Sequence, residues 1–312
     1  MGIKKANDKA EFKKVIDENG YNEVATFLVY PHGNDESRKP KKRALLSKND
    51  INSSEFFESI NTDNGFMFVG LNYAERDSAD TDDEVDTTIY QTYHDIGPKS
   101  HDMSIYSSIH DTKAYGSFAM DILNKFVKTE ISESWINTIS KELLALPKMK
   151  AEKIFNMNDI EPFDPYEFKK KFSARSESAK VVAKNFEELE KLEQLEKEYK
   201  KANKDTSEIK EKKAPYKKVI NEYNKAVTVK ELTNRFINVD APAFAAIVNL
   251  LDPKCLICFG KKTYILADAV VKAFDLNVDV EQITHYSFTG KTGVSDITKY
   301  KRDEVLRVIE KY

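Results

Sequence analysis

The 312-residue chain is 40% hydrophobic and 32% charged, which reads as a soluble globular protein with core material for one large domain or two small ones. A formal net charge of -3 supplies no global attraction to a polyanion, so any nucleic-acid contact must come from a local basic face. Two cysteines, no signal-peptide core and no apolar run near ~18 residues predict a reducing cytoplasm without disulfides or a membrane span, and Ala6 stands where myristoylation wants Ser or Thr.

In chain order, apolar runs at 24–30, 66–71, 117–123 and 255–259 predict strands. Most are continuous rather than alternating, as in a parallel sheet covered by helices on both faces. Helical patterns occupy 134–146, 241–251 with Asp240 as N-cap and Pro242 in the first turn, 262–274, and 303–310. The alternation predicts an α/β fold. Between the third and fourth strands, 168–231 turns rich in Lys and Glu. There Val182, Phe186, Leu189, Leu192, Leu195 and Tyr199 recur at helical spacing. After the polar ANKDTSE stretch, Tyr216, Val219, Ile220, Tyr223 and Val227 repeat the pattern, with Pro215 near its start. This predicts an inserted helical hairpin at 166–232 that divides the α/β domain into 1–165 and 233–312, with a solvated arm or lid as its simplest role. The acidic run ERDSADTDDEVD, 75–86, has no apolar periodicity and reads as a mobile loop.

Three candidate motifs fail on spacing. Gly290-Lys291-Thr292 resembles the end of a phosphate loop, but His285 stands where the first glycine belongs. Cys255 and Cys258 lie three apart on one strand, so they point to opposite faces and read as core residues rather than metal ligands. His94, His101 and His110 cluster beside Asp95, Asp102 and Asp111, yet the spacing matches no ligand motif, so no metal and no cofactor is expected.

The stretch FMFVGLNYA, 66–74, is an apolar strand that ends on a polar group. In open α/β sheets functional groups collect at the carboxyl ends of strands. Asn72 is at such an end, and Gly70 before it permits a turn or close approach of a ligand to the backbone. A plain turn explains the stretch equally well. Near the C-terminus, QITHYSFTG places a histidine after another α/β unit, where imidazole could meet the same crevice.

Taken in order, FVGLNYA, GSFAMDILNKF, KCLICFGKKT and HYS resemble the uracil-DNA glycosylase superfamily, over roughly 65–125 and 235–290. Gly70-Leu71-Asn72-Tyr73-Ala74 lies over the family's GINPG form, and His285-Tyr286-Ser287 over the start of its HPSPL form. Phe118 to Asn124 lies over its YVTNLVK strand. The segment 93–126 also looks like a bacterial branch of glycosylase-like proteins. The resemblance implies a three-layer sandwich around a four-stranded parallel sheet, and an enzyme that flips a nucleotide out of DNA and cuts its N-glycosidic bond in base-excision repair.

On that reading Asn72 positions water and His285 stabilises the departing base. Gly70, Leu71, Tyr73, Tyr93 and Asp121 line the base pocket, with Tyr93 the preferred stacking ring. Ser287 and Lys291 contact DNA phosphates. Tyr73 and Tyr286 replace the family's prolines, and Asp121 its base-reading Asn. An ionised Asp only accepts hydrogen bonds, whereas uracil O4 needs a donor. The expectation is therefore a base that presents a donor, such as cytosine or a modified cytosine, or a protonated Asp121. Two further readings stay open: a catalytically silent member of the fold that binds nucleic acid or a protein through the hairpin, and a hydrolase of free nucleosides or nucleotides.

Overall fold

The computed structural model describes residues 3–38, 43–72, 87–94, 102–125, 131–163, 177–202, 204–288 and 296–312, without the side chains of Asn72, 177–183, 186 and 219–229. Tyr73, the acidic run 75–86, His101 and the 290–292 motif with Lys291 lie outside the described residues. The chain divides into two compact units, Met1–Pro162 with Phe236–Tyr312, and Phe163–Arg235. Among the described residues no helix is long and apolar enough to cross a membrane.

The larger unit is α/β, with a five-stranded sheet in the order β1-β3-β2-β4-β5. Its strands are β1 Ala25–Phe27, β2 Phe66–Asn72, β3 Phe118–Leu123, β4 Cys255–Phe259 and β5 Asp279–Ile283. Strands β3, β2, β4 and β5 run parallel, and β1 pairs antiparallel with β3 at the edge. This corrects the expected sheet in two places. The first apolar run supplies an antiparallel edge strand, and the fourth parallel strand is β5, which the apolar-run criterion missed. Asp-Val-Glu-Gln-Ile is an edge strand in which Ile283 is the one buried residue, so it carries no continuous apolar signal.

Helices flank the sheet. The main ones in this unit are α1 Lys9–Glu18, α2 Met103–Ile109, α3 Glu133–Ala145, α4 Ala241–Leu251, α5 Lys261–Ala273 and α6 Ile297–Lys311. Phe66, Phe68, Cys255, Ile257 and Phe259 pack on one face with Ile105 and Ile109 of α2 and Val305, Val308 and Ile309 of α6. The alternate residues Met67, Val69, Leu256 and Cys258 are equally buried and point to the other face, where α5 lies against the sheet and α3 against α5.

Two helix starts differ from expectation. Asp240 does not cap α4, because its backbone is already helical at φ -70 and ψ -44 and ends a π turn, Phe236–Asp240. Its buried carboxylate instead accepts the Asn124 N–H at the end of β3, at 3.1 Å. Helix α6 begins at Ile297 rather than 303, capped by Asp296, whose Oδ1 accepts the Lys299 N–H at 3.0 Å. The polar run Thr-Lys-Tyr-Lys-Arg hid its first turns.

The smaller unit consists of the helices Glu177–Lys201 and Ser207–Arg235. Pro215 lies well inside the second helix on an exposed position, not near its start. Among the described side chains Lys213 is buried, 2.7 Å from Glu196 and 3.4 Å from Glu193, Glu196 also meets Lys200 at 2.7 Å, and Ile209 is buried as well. Leu195, expected on the buried stripe, is 38% exposed.

Candidate active site

Connections out of the sheet's centre diverge. The chain leaves β2 for β3 on one side and leaves β4 through α5 for β5 on the other, so the switch point lies between the carboxyl ends of β2 and β4. Crevices of this kind are where open α/β sheets bind ligands. Gly70, Leu71 and Asn72 lie on β2, Asp121 on β3, and His285 and Ser287 follow β5.

In register, Gly70 of β2 stands beside Asp121 of β3, and Asn72 beside Leu123. A Cβ on Gly70 would sit 1.8 Å from the Tyr93 hydroxyl and 2.0 Å from Asp121 Oδ1. Gly70 is therefore a close-approach glycine, but the groups that approach it are a tyrosine and a carboxylate of the same chain. Leu71 next to it is half-buried. The side chain of Asn72 lies outside the described residues, and only its place at the end of β2 is given.

Tyr93 donates its hydroxyl proton to Asp121 Oδ1 at 2.7 Å. Both residues are 5% exposed. Burial pushes the Asp121 carboxyl up to about 7; the Tyr93 hydrogen bond works against this, and the nearby Asp102 carboxylate adds to it. Tyr93 is itself pushed well above the usual phenol range, by burial first and then by the Asp121 charge. Its backbone sits at φ +63, a left-handed conformation that costs a bulky residue on the order of 1–3 kcal/mol. The conformation is held by the Tyr30 hydroxyl, which donates to the Tyr93 carbonyl at 3.2 Å. The ring packs on Phe259 and edge-on against Tyr286, with centroids 5.7 and 5.8 Å away. Tyr93, expected as the stacking ring, is thus a wall and the anchor of Asp121.

Tyr286 links this pair to His285. The two rings stack at 4.4 Å, and His285 lies over Gly260, whose added Cβ would be 3.6 Å from His285 Cβ. The Ser287 N–H donates to His285 Nδ1 at 3.2 Å, and the Ser287 hydroxyl lies 2.8 Å from the same nitrogen. With Nδ1 accepting, the proton of a neutral imidazole resides on Nε2, which is then a donor. Ser287, expected to contact DNA, sets the histidine's tautomer here.

The loop is fixed from below by α2 and α6. Glu304 accepts the Thr284 N–H at 2.8 Å, while the Ser104 hydroxyl, at 2.9 Å, and the Lys301 ammonium both donate to the Tyr286 carbonyl. Burial lowers the Lys301 amine below its usual range. Sequence reasoning missed Ser104, Lys301 and Glu304. The one signal for Lys301 is its place four residues before Val305 on an otherwise apolar stripe.

Other polar candidates are accounted for elsewhere. His94 is buried, with Nδ1 2.8 Å from the Ala44 carbonyl and Nε2 3.2 Å from that of Phe27. His32 meets Asp50 at 3.1 Å, and His110 is exposed. Among the described residues no group of three or more His, Cys, Asp or Glu side chains converges as a metal site. Both cysteines are buried, and burial pushes the Cys255 thiol up to about 12. Compared with known proteins, the chain matches no family model, no curated protein and no solved structure.

Proposed function

We propose that the protein hydrolyses the N-glycosidic bond of a pyrimidine nucleotide flipped out of DNA. Water held by Asn72 attacks C1′ of the sugar, the C1′–N bond breaks, and its electron pair leaves with the base. The charge on the departing base is met by the Nε2–H of His285. The water's proton passes to solvent.

The observation that carries the reading is the His285–Ser287 arrangement beside the β2–β4 switch point, because it leaves the donor proton on the nitrogen the reaction needs. The buried Asp121–Tyr93 pair next to Gly70 adds a second polar feature, in an otherwise apolar wall, where a base edge would be read. Asn72 and the DNA contact of Lys291 enter from the sequence resemblance.

The test is abasic-site formation across duplex and single-stranded oligonucleotides carrying uracil, mismatched thymine or modified cytosines. Asn72→Ala and His285→Gln serve as controls. Base release by wild type that both variants lower by about a hundredfold or more is the expected result. Salt-dependent DNA binding without release refutes the enzymatic reading and leaves a silent binder of nucleic acid. Release from free nucleosides alone redirects the substrate.

A further inference from the structure

Lys301 of α6 is 6% exposed, a burial that lysines rarely reach without a counter-charge. Its ammonium donates to the Tyr286 carbonyl and to the Ser104 hydroxyl oxygen, the latter at 3.4 Å, while Ser104 gives its own proton to the same carbonyl at 2.9 Å. Both partners are neutral. Glu304, three residues on, is turned instead to the Thr284 N–H and the Tyr300 hydroxyl, and among the described residues no carboxylate stands within ion-pair distance of the Lys301 nitrogen. Burial alone acts on the amine and lowers it, with no opposite charge to hold the proton. A buried cation in that position is costly unless something compensates it.

The same lysine borders a cavity between α2, α6 and the sheet. Ser104, Thr284 and Lys301 form its polar wall, and Phe68, Ile105 and Phe259 are among its apolar lining. It has room for roughly one particle the size of a water molecule. An ammonium carries three N–H groups, of which the Tyr286 carbonyl and Ser104 take two. A water at the third would complete the hydrogen bonds and leave the charge uncompensated. A monovalent anion does both, and the apolar lining strengthens its attraction. Phosphate, sulfate and carboxylate ligands are too large for a cavity on that scale, whereas a halide is only slightly larger than water. We propose that Lys301, in the cavity it shares with Ser104 and Thr284, binds a single chloride ion beneath the His285 loop. The ion neutralises the ammonium that braces the loop through the Tyr286 carbonyl, so chloride stabilises the folded chain there. The proposal does not depend on the glycosylase reading.

The experiment is urea denaturation of the full chain in mixtures of sodium chloride and sodium gluconate at constant ionic strength, gluconate being too large for the cavity. Unfolding is followed by the fluorescence of Trp135, the chain's one tryptophan, which lies on α3 of the larger unit. Between about 5 and about 500 mM chloride the folded-to-unfolded ratio should rise about tenfold and approach saturation, as one site with a Kd of about 50 mM requires. Lys301→Met should abolish the rise. A second measurement needs no variant: crystals of the wild-type chain grown in bromide should show anomalous scattering within hydrogen-bond reach of Lys301 Nζ, lost on exchange into chloride. No chloride-specific stabilisation of wild type, an equal gain in Lys301→Met, or bromide bound at the surface alone overturns the proposal.

Discussion

Replacing Asp121 by Asn should make the protein more stable at alkaline pH. A buried carboxyl whose folded value is raised holds its proton in the native state up to about 7, whereas the unfolded chain releases it near 3.8. Between those values the native state binds more protons than the unfolded one, so stability falls as pH rises and levels off above about 7. Three pH units at about 1.4 kcal/mol each put the loss at roughly 4 kcal/mol. That is a large share of the ~5–15 kcal/mol available to a folded domain.

Asn has the same shape, accepts the Tyr93 proton in the same place and does not titrate. The Tyr93 hydrogen bond to the ionised form is already contained in the value near 7, so the net expectation is a gain of about 4 kcal/mol near pH 8, shrinking to about zero near pH 4. Urea denaturation across that range reads it directly. With an m-value of about 3 kcal/mol/M, the midpoint of the variant should lie roughly 1 M above wild type at pH 8. A variant that is less stable than wild type there, or one that keeps the wild-type slope between pH 4 and 7, would refute the reasoning. The expected result would also mean that the chain keeps a costly ionisable group where an isosteric neutral one is better for folding, as binding and catalytic sites do.

The remaining predictions concern the same site and its supports. Gly70→Ala should cost about 3–5 kcal/mol, since the new methyl cannot coexist with the Tyr93 hydroxyl and Asp121 Oδ1 at their present distances; an unfolding free energy from urea denaturation within about 1 kcal/mol of wild type sinks the close-approach argument. Lys301→Met removes a donor to the Tyr286 carbonyl together with the burial cost of an ammonium, so stability should change by less than about 1 kcal/mol. Base release should nevertheless slow about tenfold as the His285 loop loosens, and an unchanged rate with an unchanged melt argues against the support role. Asp240→Ala leaves the Asn124 N–H without its acceptor at the end of β3 and should cost about 1–3 kcal/mol, most of it restored by Asn; a loss under about 0.5 kcal/mol, measured by thermal melting, contradicts it.

Four of the five strands were legible in the sequence, three of them because they lie deep in the sheet. Phe66 to Val69, Phe118 to Leu123 and Cys255 to Phe259 are buried throughout and read as unbroken apolar runs. The first apolar run was also visible, but its direction was not. Strand β5 escaped notice because one side of it faces solvent. Of the candidate site, Asn72, Asp121 and His285 were proposed from order and resemblance, and Gly70 from its place before a polar strand end. Lys301, Ser104 and Glu304 could not, because each acts on a loop far away in the chain.

The amino-acid sequence alone determined the α/β alternation, the charged helical hairpin and which polar residues end apolar strands. Local periodicity and strand burial express these directly, and neither depends on distant parts of the chain. Only the tertiary structure decided what those residues touch. The space above Gly70 is filled by Tyr93 and Asp121, residues 28 apart in the chain and 2.7 Å apart at their oxygens. Asp240 serves the end of β3 across 116 residues rather than capping its own helix, and the Ser287 N–H donates to His285 Nδ1. The state of the Asp121 carboxyl depends on burial from every side, a quantity that exists only once the sheet and its helices have closed around it.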